Sequence, residues 1–188
     1  VLRALHLGID FGGLTAVDDF NITVGRTEIC GLIGPNGAGK TTVFNLLTKV
    51  YQPTRGTILI DSIDTHGMNT VQANQLGIAR TFQNIRLFKD LSVYENVMIA
   101  KHLHLKSDVF SAALHLPWYN AEQRAMEKDV EELLRKVDLW EVRNEKASSL
   151  PYGQQRRLEI VRALATGPKL LLLDEPAAGM NPKETEEL

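Results

Sequence analysis

The sequence is poor in the residues that redox chemistry or nucleic-acid binding would require. Its 188 residues include one cysteine, Cys30, so an internal disulfide is excluded, and we interpret Cys30 as a small buried apolar residue. The formal net charge is only −2 and no block of Lys or Arg is present, which argues against a nucleic-acid partner. Redox function and nucleic-acid binding therefore have no support.

Long apolar runs are also missing. No segment approaches the roughly 18 consecutive apolar residues that a membrane-spanning helix needs, and the first residues lack the layout of a signal peptide. With 44% hydrophobic and 23% charged residues, the composition is typical of a globular chain with an ample core. We therefore expect a cytosolic protein that is still able to dock onto a membrane protein.

A phosphate-binding loop is present. Residues 34–41, GPNGAGKT, match the pattern G-x-x-x-x-G-K-S/T and follow an apolar stretch at 29–33 that we predict to be a strand. Glycines let successive backbone N–H groups point at phosphate oxygens, Lys40 reaches the β- and γ-phosphates, and the Thr41 hydroxyl can coordinate Mg²⁺. Apolar residues at helical spacing over 43–50 predict a helix whose N-terminus faces those phosphates. The residues predicted to bind a nucleoside triphosphate here are Gly34, Pro35, Asn36, Gly37, Ala38, Gly39, Lys40, Thr41 and Thr42.

Two acidic residues follow a second apolar run. The four leucines at 170–173 show no alternation, which is typical of a central parallel strand covered on both faces, and ligands bind beyond the carboxyl ends of such strands. Asp174 is the predicted Mg²⁺ ligand and Glu175 the predicted general base that activates water. Such a pair alone is more often a helix cap or a turn, but the phosphate loop upstream favours the catalytic interpretation.

The rest of the chain is predicted to be mixed. Short strand-like runs up to about residue 32 and a strand at 57–61 predict a β region. Ser92 and Glu95 form a capping-box pattern at the start of a helix. A second helix is then predicted from an apolar stripe at helical spacing. The stripe consists of Met126, Val130, Leu133, Leu134 and Val137.

A third motif carries a family resemblance. Residues 150–157, LPYGQQRR, resemble the signature motif of ABC-transporter ATPases, usually written LSGGQ, with Pro151 in place of Ser and Tyr152 in place of the first Gly. The stretches 11–17, 80–88 and 174–185 are similar to ATPases of the branched-chain amino acid importer group. The resemblance covers essentially the whole chain.

This resemblance implies an α/β fold of the ABC ATPase type. We expect a P-loop NTPase core with a mostly parallel sheet, an N-terminal antiparallel β region and an inserted α-helical lobe. The core is predicted at 1–83 and 151–188, incomplete at its C-terminus, and the helical lobe at 84–150. The family also implies a head-to-tail dimer, either a homodimer or a heterodimer, in which the signature of one subunit caps ATP on the other.

Further site residues are implied by the same resemblance. Gln83 is expected to touch Mg²⁺ or the attacking water and to act with Lys40 and Glu175 in catalysis, although a surface Gln in a turn is the alternative. Phe11 is expected to stack on adenine, unless it is a core aromatic. Gly153 and Gln154 are expected at the γ-phosphate of the partner subunit. Asn181 matches the D-loop position, where capping a helix is an alternative role.

The implied function is the ATP-binding and ATP-hydrolysing subunit of an ABC transporter, energising import of branched-chain or related amino acids. This function implies integral membrane permease subunits as direct partners and a substrate-binding protein as an indirect one. Segment 84–97 is then either the docking surface for the permease or local core of the helical lobe. The expected location is the cytoplasmic face of the plasma membrane. A soluble ABC ATPase is the alternative, and a P-loop small-molecule kinase a weaker one, since it needs neither the signature nor the acidic run. A helix is predicted to begin at Pro182, close to the last residue, and the switch histidine of the family is lacking. We therefore expect a fragment with weak ATPase activity. The transported substrate and the direction of transport stay open.

Overall fold

The computed structural model describes residues 1–102, 117–181 and 185. The chain forms two compact units, one made of Val1–Arg80 with Pro168–Asp174 and the other of Thr81–Gly167 with Glu175–Leu188. The predicted helix that starts at Pro182 lies mostly outside the described residues. Among those described, no helix is both long and apolar enough to cross a membrane.

The first unit contains two sheets. Strands β1 (Leu2–Phe11), β2 (Leu14–Val24), β3 (Arg55–Ile60) and β4 (Ile63–Asp64) form an antiparallel sheet in the order β2-β1-β3-β4. Strands β5 (Ile78–Arg80) and β6 (Leu170–Leu172) pair in parallel. The helices are α1 (Lys40–Leu47) and α2 (Thr70–Gln75). The predicted combination of an antiparallel β region with a parallel sheet in an α/β fold is thus observed.

One apolar core joins these elements. Both sheets and the buried face of α1 contribute to it through Leu2, Ala4, Leu7, Ile9, Val43, Leu46, Leu47, Ile58, Ile60, Ile78, Leu170 and Leu172. Burying side chains of this size typically stabilises a fold by about 1.5–3 kcal/mol each. Since α1 is anchored by Val43, Leu46 and Leu47, the position of its N-terminus is fixed by the core.

Two local predictions are wrong. The stretch 29–33 is not a strand, and its Ile29 and Ile33 are 100% and 95% exposed. Cys30 is accordingly exposed and not buried. A strand requires a hydrogen-bonded neighbour, and among the described residues the parallel pairing involves only β5 and β6, so the apolar composition of 29–33 is not sufficient to make it a strand.

The second unit is helical. It contains α3 (Val93–His102), α4 (Pro117–Lys136), a short 3₁₀ helix (Ala147–Ser149) and α5 (Tyr152–Ala165). Their shared core includes Val93, Val97, Met126, Val130, Leu134, Leu139, Leu158 and Val161. Helix α5 therefore packs with α3 and α4, and the boundaries predicted for the helical lobe stay a prediction.

The predicted capping box at α3 is confirmed. The backbone N–H of Ser92 donates to the Glu95 carboxylate at 2.7 Å, and the N–H of Glu95 donates to the Ser92 hydroxyl at 3.2 Å. The hydrogen bond from the Ser92 backbone holds the pKa of Glu95 below its usual range. Ser92 and Glu95 thus satisfy backbone donors at the helix start, which fixes where α3 begins.

Candidate functional site

The phosphate loop lies in the first unit, immediately before α1. Gly37 and Gly39 have φ angles of 83° and 82°, a region that side-chain-bearing residues rarely adopt. A Cβ on Gly39 would also lie 2.7 Å from the carbonyl oxygen of Ala16 on β2. The glycine at position 39 is therefore required both by its backbone conformation and by close packing against the sheet.

Lys40 is folded back over this loop. Its Nζ donates to the carbonyl oxygens of Gly34 at 2.7 Å and Pro35 at 2.9 Å. Hydrogen bonds from an ammonium group to ionised phosphate oxygens are stronger than those to neutral carbonyls. The ammonium is therefore positioned to exchange these carbonyls for an anionic ligand.

The start of α1 is suited to bind an anion. Its N-cap is Gly39, which offers no side-chain acceptor, and its first turn contains no acidic residue. Unneutralised N–H groups at a helix start attract phosphate. Thr41 is exposed in that first turn, so its hydroxyl is available to a ligand, and an open cleft of about 360 Å³ lies between the loop and β2.

Asp174 lies two residues beyond the end of β6 and belongs to a buried ion pair. Its Oδ2 accepts a hydrogen bond from Nη2 of Arg80 at 2.8 Å, and the side chains are 13% and 7% exposed, respectively. Arg80, the last residue of β5, also donates to Asn45 on α1 at 2.6 Å, and its guanidinium lies 5.4 Å from the Phe44 ring centroid. Asp174 is thereby linked through Arg80 to the helix that carries Lys40 and Thr41.

Glu175 and Gln83 meet in the second unit. The Gln83 amide Nε2 donates to Oε2 of Glu175 at 3.2 Å, and both residues are exposed. Glu175 has a φ of 47°, in the left-handed region that residues with a side chain rarely adopt. Sequence reasoning named both residues, and the structure brings them together.

Sequence reasoning did not identify a buried ion pair on α5. Arg156 and Glu159 are 1% and 3% exposed, and their side chains are 2.6 Å apart. The guanidinium also donates to backbone carbonyls of Phe82, Glu175 and Pro176. The only sequence signal was an Arg and a Glu at i,i+3 spacing next to apolar Leu158, and such pairs are normally exposed.

The signature residues lie at the start of α5. The Tyr152 hydroxyl donates to the carbonyl oxygen of Ala178 at 3.0 Å, and a Cβ on Gly179 would lie 3.3 Å from the Tyr152 ring. Gly153 is buried and Gln154 is half-buried. Tyr152 thus contacts the segment that follows Glu175 within the same unit.

Two remaining predicted residues are exposed. Phe11 is 42% exposed, so it is not a core residue, and it contacts Tyr51 edge-to-face with ring centroids 5.3 Å apart. Asn181 is exposed, and its carbonyl oxygen accepts from the N–H of Thr185 at 3.0 Å. The adenine-stacking role of Phe11 and the D-loop role of Asn181 stay predictions.

Comparison with known proteins gives concordant matches. A family model described as ABC transporter matches residues 17–178. The chain is 49% identical over 188 residues to the high-affinity branched-chain amino acid transport ATP-binding protein LivG of Escherichia coli (strain K12), covering 100% of this chain and 74% of that protein. Among solved structures, it matches the ADP conformation of MJ1267, an ATP-binding cassette of an ABC transporter, with a TM-score of 0.83 and 29% identity over 100% of this chain and 73% of that one. It also matches the dimeric post-hydrolysis state of the cassette MJ0796 bound to ADP and Pi, with a TM-score of 0.79 and 26% identity over 100% and 79% of the two chains.

Proposed function

This chain belongs to the ABC-transporter ATPase family, and on that premise we propose that it binds and hydrolyses ATP to energise import of branched-chain or related amino acids. The observation that carries the proposal is the phosphate loop, where close packing at Gly39, the position of Lys40 and the uncapped start of α1 converge. The substrate class is suggested by the 49% identity to LivG.

Nucleotide binding is assigned to the first unit. Backbone N–H groups of the loop and of the first turn of α1 hold the phosphates, and Lys40 moves from the Gly34 and Pro35 carbonyls to phosphate oxygens. The exposed hydroxyl of Thr41 and the carboxylate of Asp174 are hard oxygen donors of the kind that Mg²⁺ prefers. When bound, Mg²⁺ neutralises charge on the phosphate oxygens.

The hydrolytic step is assigned to Glu175 and Gln83. The Glu175 carboxylate acts as the general base that accepts a proton from the attacking water. The Gln83 amide, which lies 3.2 Å from that carboxylate, orients the water and holds the base in place. Gln83 is also proposed to contact Mg²⁺ when ATP is bound.

The signature and the transport partners extend the proposal. Gly153 and Gln154 contact the γ-phosphate on a second, similar subunit, a role supported by their position at the start of α5. The resulting dimer engages integral permease subunits at the cytoplasmic face of the membrane, and through them a substrate-binding protein. Conformational changes driven by ATP binding and hydrolysis then alter access through the permease.

The catalytic assignment is tested with Glu175→Gln in the complete protein. A general base typically contributes about 10²–10⁴-fold to the rate, so we expect a turnover loss in that range with ATP binding retained. Glu132→Gln, at an exposed position on α4, is the control and should be as active as the wild type. Near-normal turnover of Glu175→Gln would refute the assignment.

The transport assignment is tested by capturing the complete, tagged protein from detergent-solubilised membranes. Co-purification of multi-span permease subunits is expected, together with loss of labelled leucine uptake when the Glu175→Gln variant replaces the wild type. Recovery without any membrane protein, and unchanged uptake, would point instead to a soluble ABC ATPase.

A further inference from the structure

The guanidinium of Arg156 holds two separate backbone segments of the second unit. Its Nε donates to the carbonyl oxygen of Pro176 at 3.1 Å and its Nη2 to that of Glu175 at 3.1 Å. Its Nη1 donates to the carbonyl oxygen of Phe82 at 2.5 Å. One planar group therefore contacts the segment that contains Glu175 and the residue just before Gln83.

Glu159 completes the arrangement from the next turn of α5. Its Oε2 accepts from Nη1 of Arg156 at 2.6 Å. Its Oε1 lies 3.4 Å from the backbone nitrogen of Phe82 and 3.3 Å from that of Arg86, and both N–H groups donate to it. Phe82 is thus held through both its carbonyl and its N–H, and the loop that carries Gln83 is fixed at each end.

The burial of this pair calls for a role other than stability. Taking two charges out of water is costly, and well-packed apolar residues of similar volume often stabilise a fold as well or better. Apolar side chains, however, cannot bind the backbone groups of Phe82, Arg86, Glu175 and Pro176. Only a forked, charged donor paired with a carboxylate satisfies all of them in fixed geometry.

We infer that Arg156 and Glu159 are positioning residues for hydrolysis. They hold the Gln83 loop (residues 82–86) and the Glu175 segment (residues 175–176) in a fixed position relative to each other. The inference rests on the proposed roles of Gln83 and Glu175. It explains how two exposed side chains on separate segments meet at 3.2 Å and what maintains the unusual φ of Glu175. It also makes α5, whose first turn carries the signature, the element that places the catalytic groups.

The test uses Arg156→Lys and Glu159→Gln in the complete protein. Lys keeps the charge but lacks the fork, and Gln keeps an acceptor but lacks the charge. Displacing a catalytic group by about 1 Å can cost on the order of 10²-fold in rate. Because Arg156→Lys releases the segments that carry Gln83 and Glu175, we expect its kcat to fall about 10-fold or more. The Kd for an ATP analogue should stay within a factor of about three, because the phosphate loop belongs to the other unit.

Two controls separate positioning from mere stability. Leu134→Ala removes a fully buried side chain of the same unit that lies on α4 and outside both segments, so it should lower Tm and leave kcat unchanged at temperatures below that Tm. Arg135→Lys changes an exposed i,i+4 pair with Glu131 and should change neither. If Leu134→Ala lowered kcat as much as Arg156→Lys, or if Arg156→Lys and Glu159→Gln kept the wild-type kcat, the inference would be wrong.

A double-variant comparison separates this inference from the proposed function. If Arg156 acts through Glu175, adding Arg156→Lys to Glu175→Gln should cause little further loss in single-turnover hydrolysis. Full multiplication of the two losses would overturn the inference that Arg156 positions Glu175. Loss of turnover in Glu175→Gln with wild-type kcat in Arg156→Lys would refute the inference alone, whereas full turnover in Glu175→Gln would refute the proposed function. Should Arg156→Lys fail to fold, the same comparisons with Glu159→Gln decide the question.

Discussion

Replacing Arg80 with Met is expected to destabilise the first unit far more than replacing Lys169 with Met. Both residues lie at strands β5 and β6, and both form ion pairs of the same length: Arg80 with Asp174 and Lys169 with Asp61, each at 2.8 Å. The pairs differ in burial. The side chains of Arg80 and Asp174 are 7% and 13% exposed, whereas those of Lys169 and Asp61 are 54% and 27% exposed.

The expected magnitudes follow from that difference. Removing one partner of a buried pair costs about 3–5 kcal/mol, because the remaining charge stays in a poorly solvated place. Arg80→Met also removes the hydrogen bond to Asn45, so a value in the upper half of this range is expected. The exposed pair is screened by water, and its loss should be barely measurable.

Urea unfolding followed by far-ultraviolet circular dichroism measures the free energies. Hydrogen exchange of the backbone N–H groups in β5 and β6 locates the effect, since these groups report on the first unit. A large loss of protection in Arg80→Met and none in Lys169→Met would support the argument. Equal losses in the two variants, or an unchanged urea midpoint in Arg80→Met, would refute the view that burial decides the contribution of these pairs.

Two further predictions follow from single positions. Gly39→Ala should weaken binding of a fluorescent ATP analogue at least 10-fold, because a left-handed Ala costs about 1–2 kcal/mol and its Cβ would clash with Ala16. The control is Gly167→Ala, whose position has a φ of 60° but open space around it, so it should reduce stability by a similar strain without changing affinity. Equal affinities of the two variants for the analogue would contradict the role of the clash. Because the pKa of Glu95 is lowered by its bond from the Ser92 backbone, its contribution to stability is complete above its ordinary pKa and is lost as pH falls through the lowered value. Glu95→Gln should therefore be less stable than the wild type at pH 7, with the difference shrinking toward pH 2 in thermal unfolding; a difference independent of pH would contradict the assignment.

Local patterns predicted much of the architecture. The helix at α1, the capping box at Ser92 and the apolar stripe on α4 depend on residues close together in sequence, so spacing alone identifies them. The strand predicted at 57–61 is observed as β3 (Arg55–Ile60). The stretch 29–33 failed because an apolar run specifies a strand only when a neighbouring strand pairs with it, and pairing is not encoded locally.

The site divides in the same way. The phosphate loop and the acidic pair of Asp174 and Glu175 follow from strong local patterns, so the sequence by itself determined where they lie in the chain. Only the tertiary structure decided which groups meet across long separations: Arg80 with Asp174, Gln83 with Glu175, and Arg156 with the backbones of Phe82 and Pro176. For the two arginines the physical reason is that a buried charge is tolerated only where the fold supplies its partners. All of these partners, including the exposed pair of Gln83 and Glu175, lie on segments that only folding brings together.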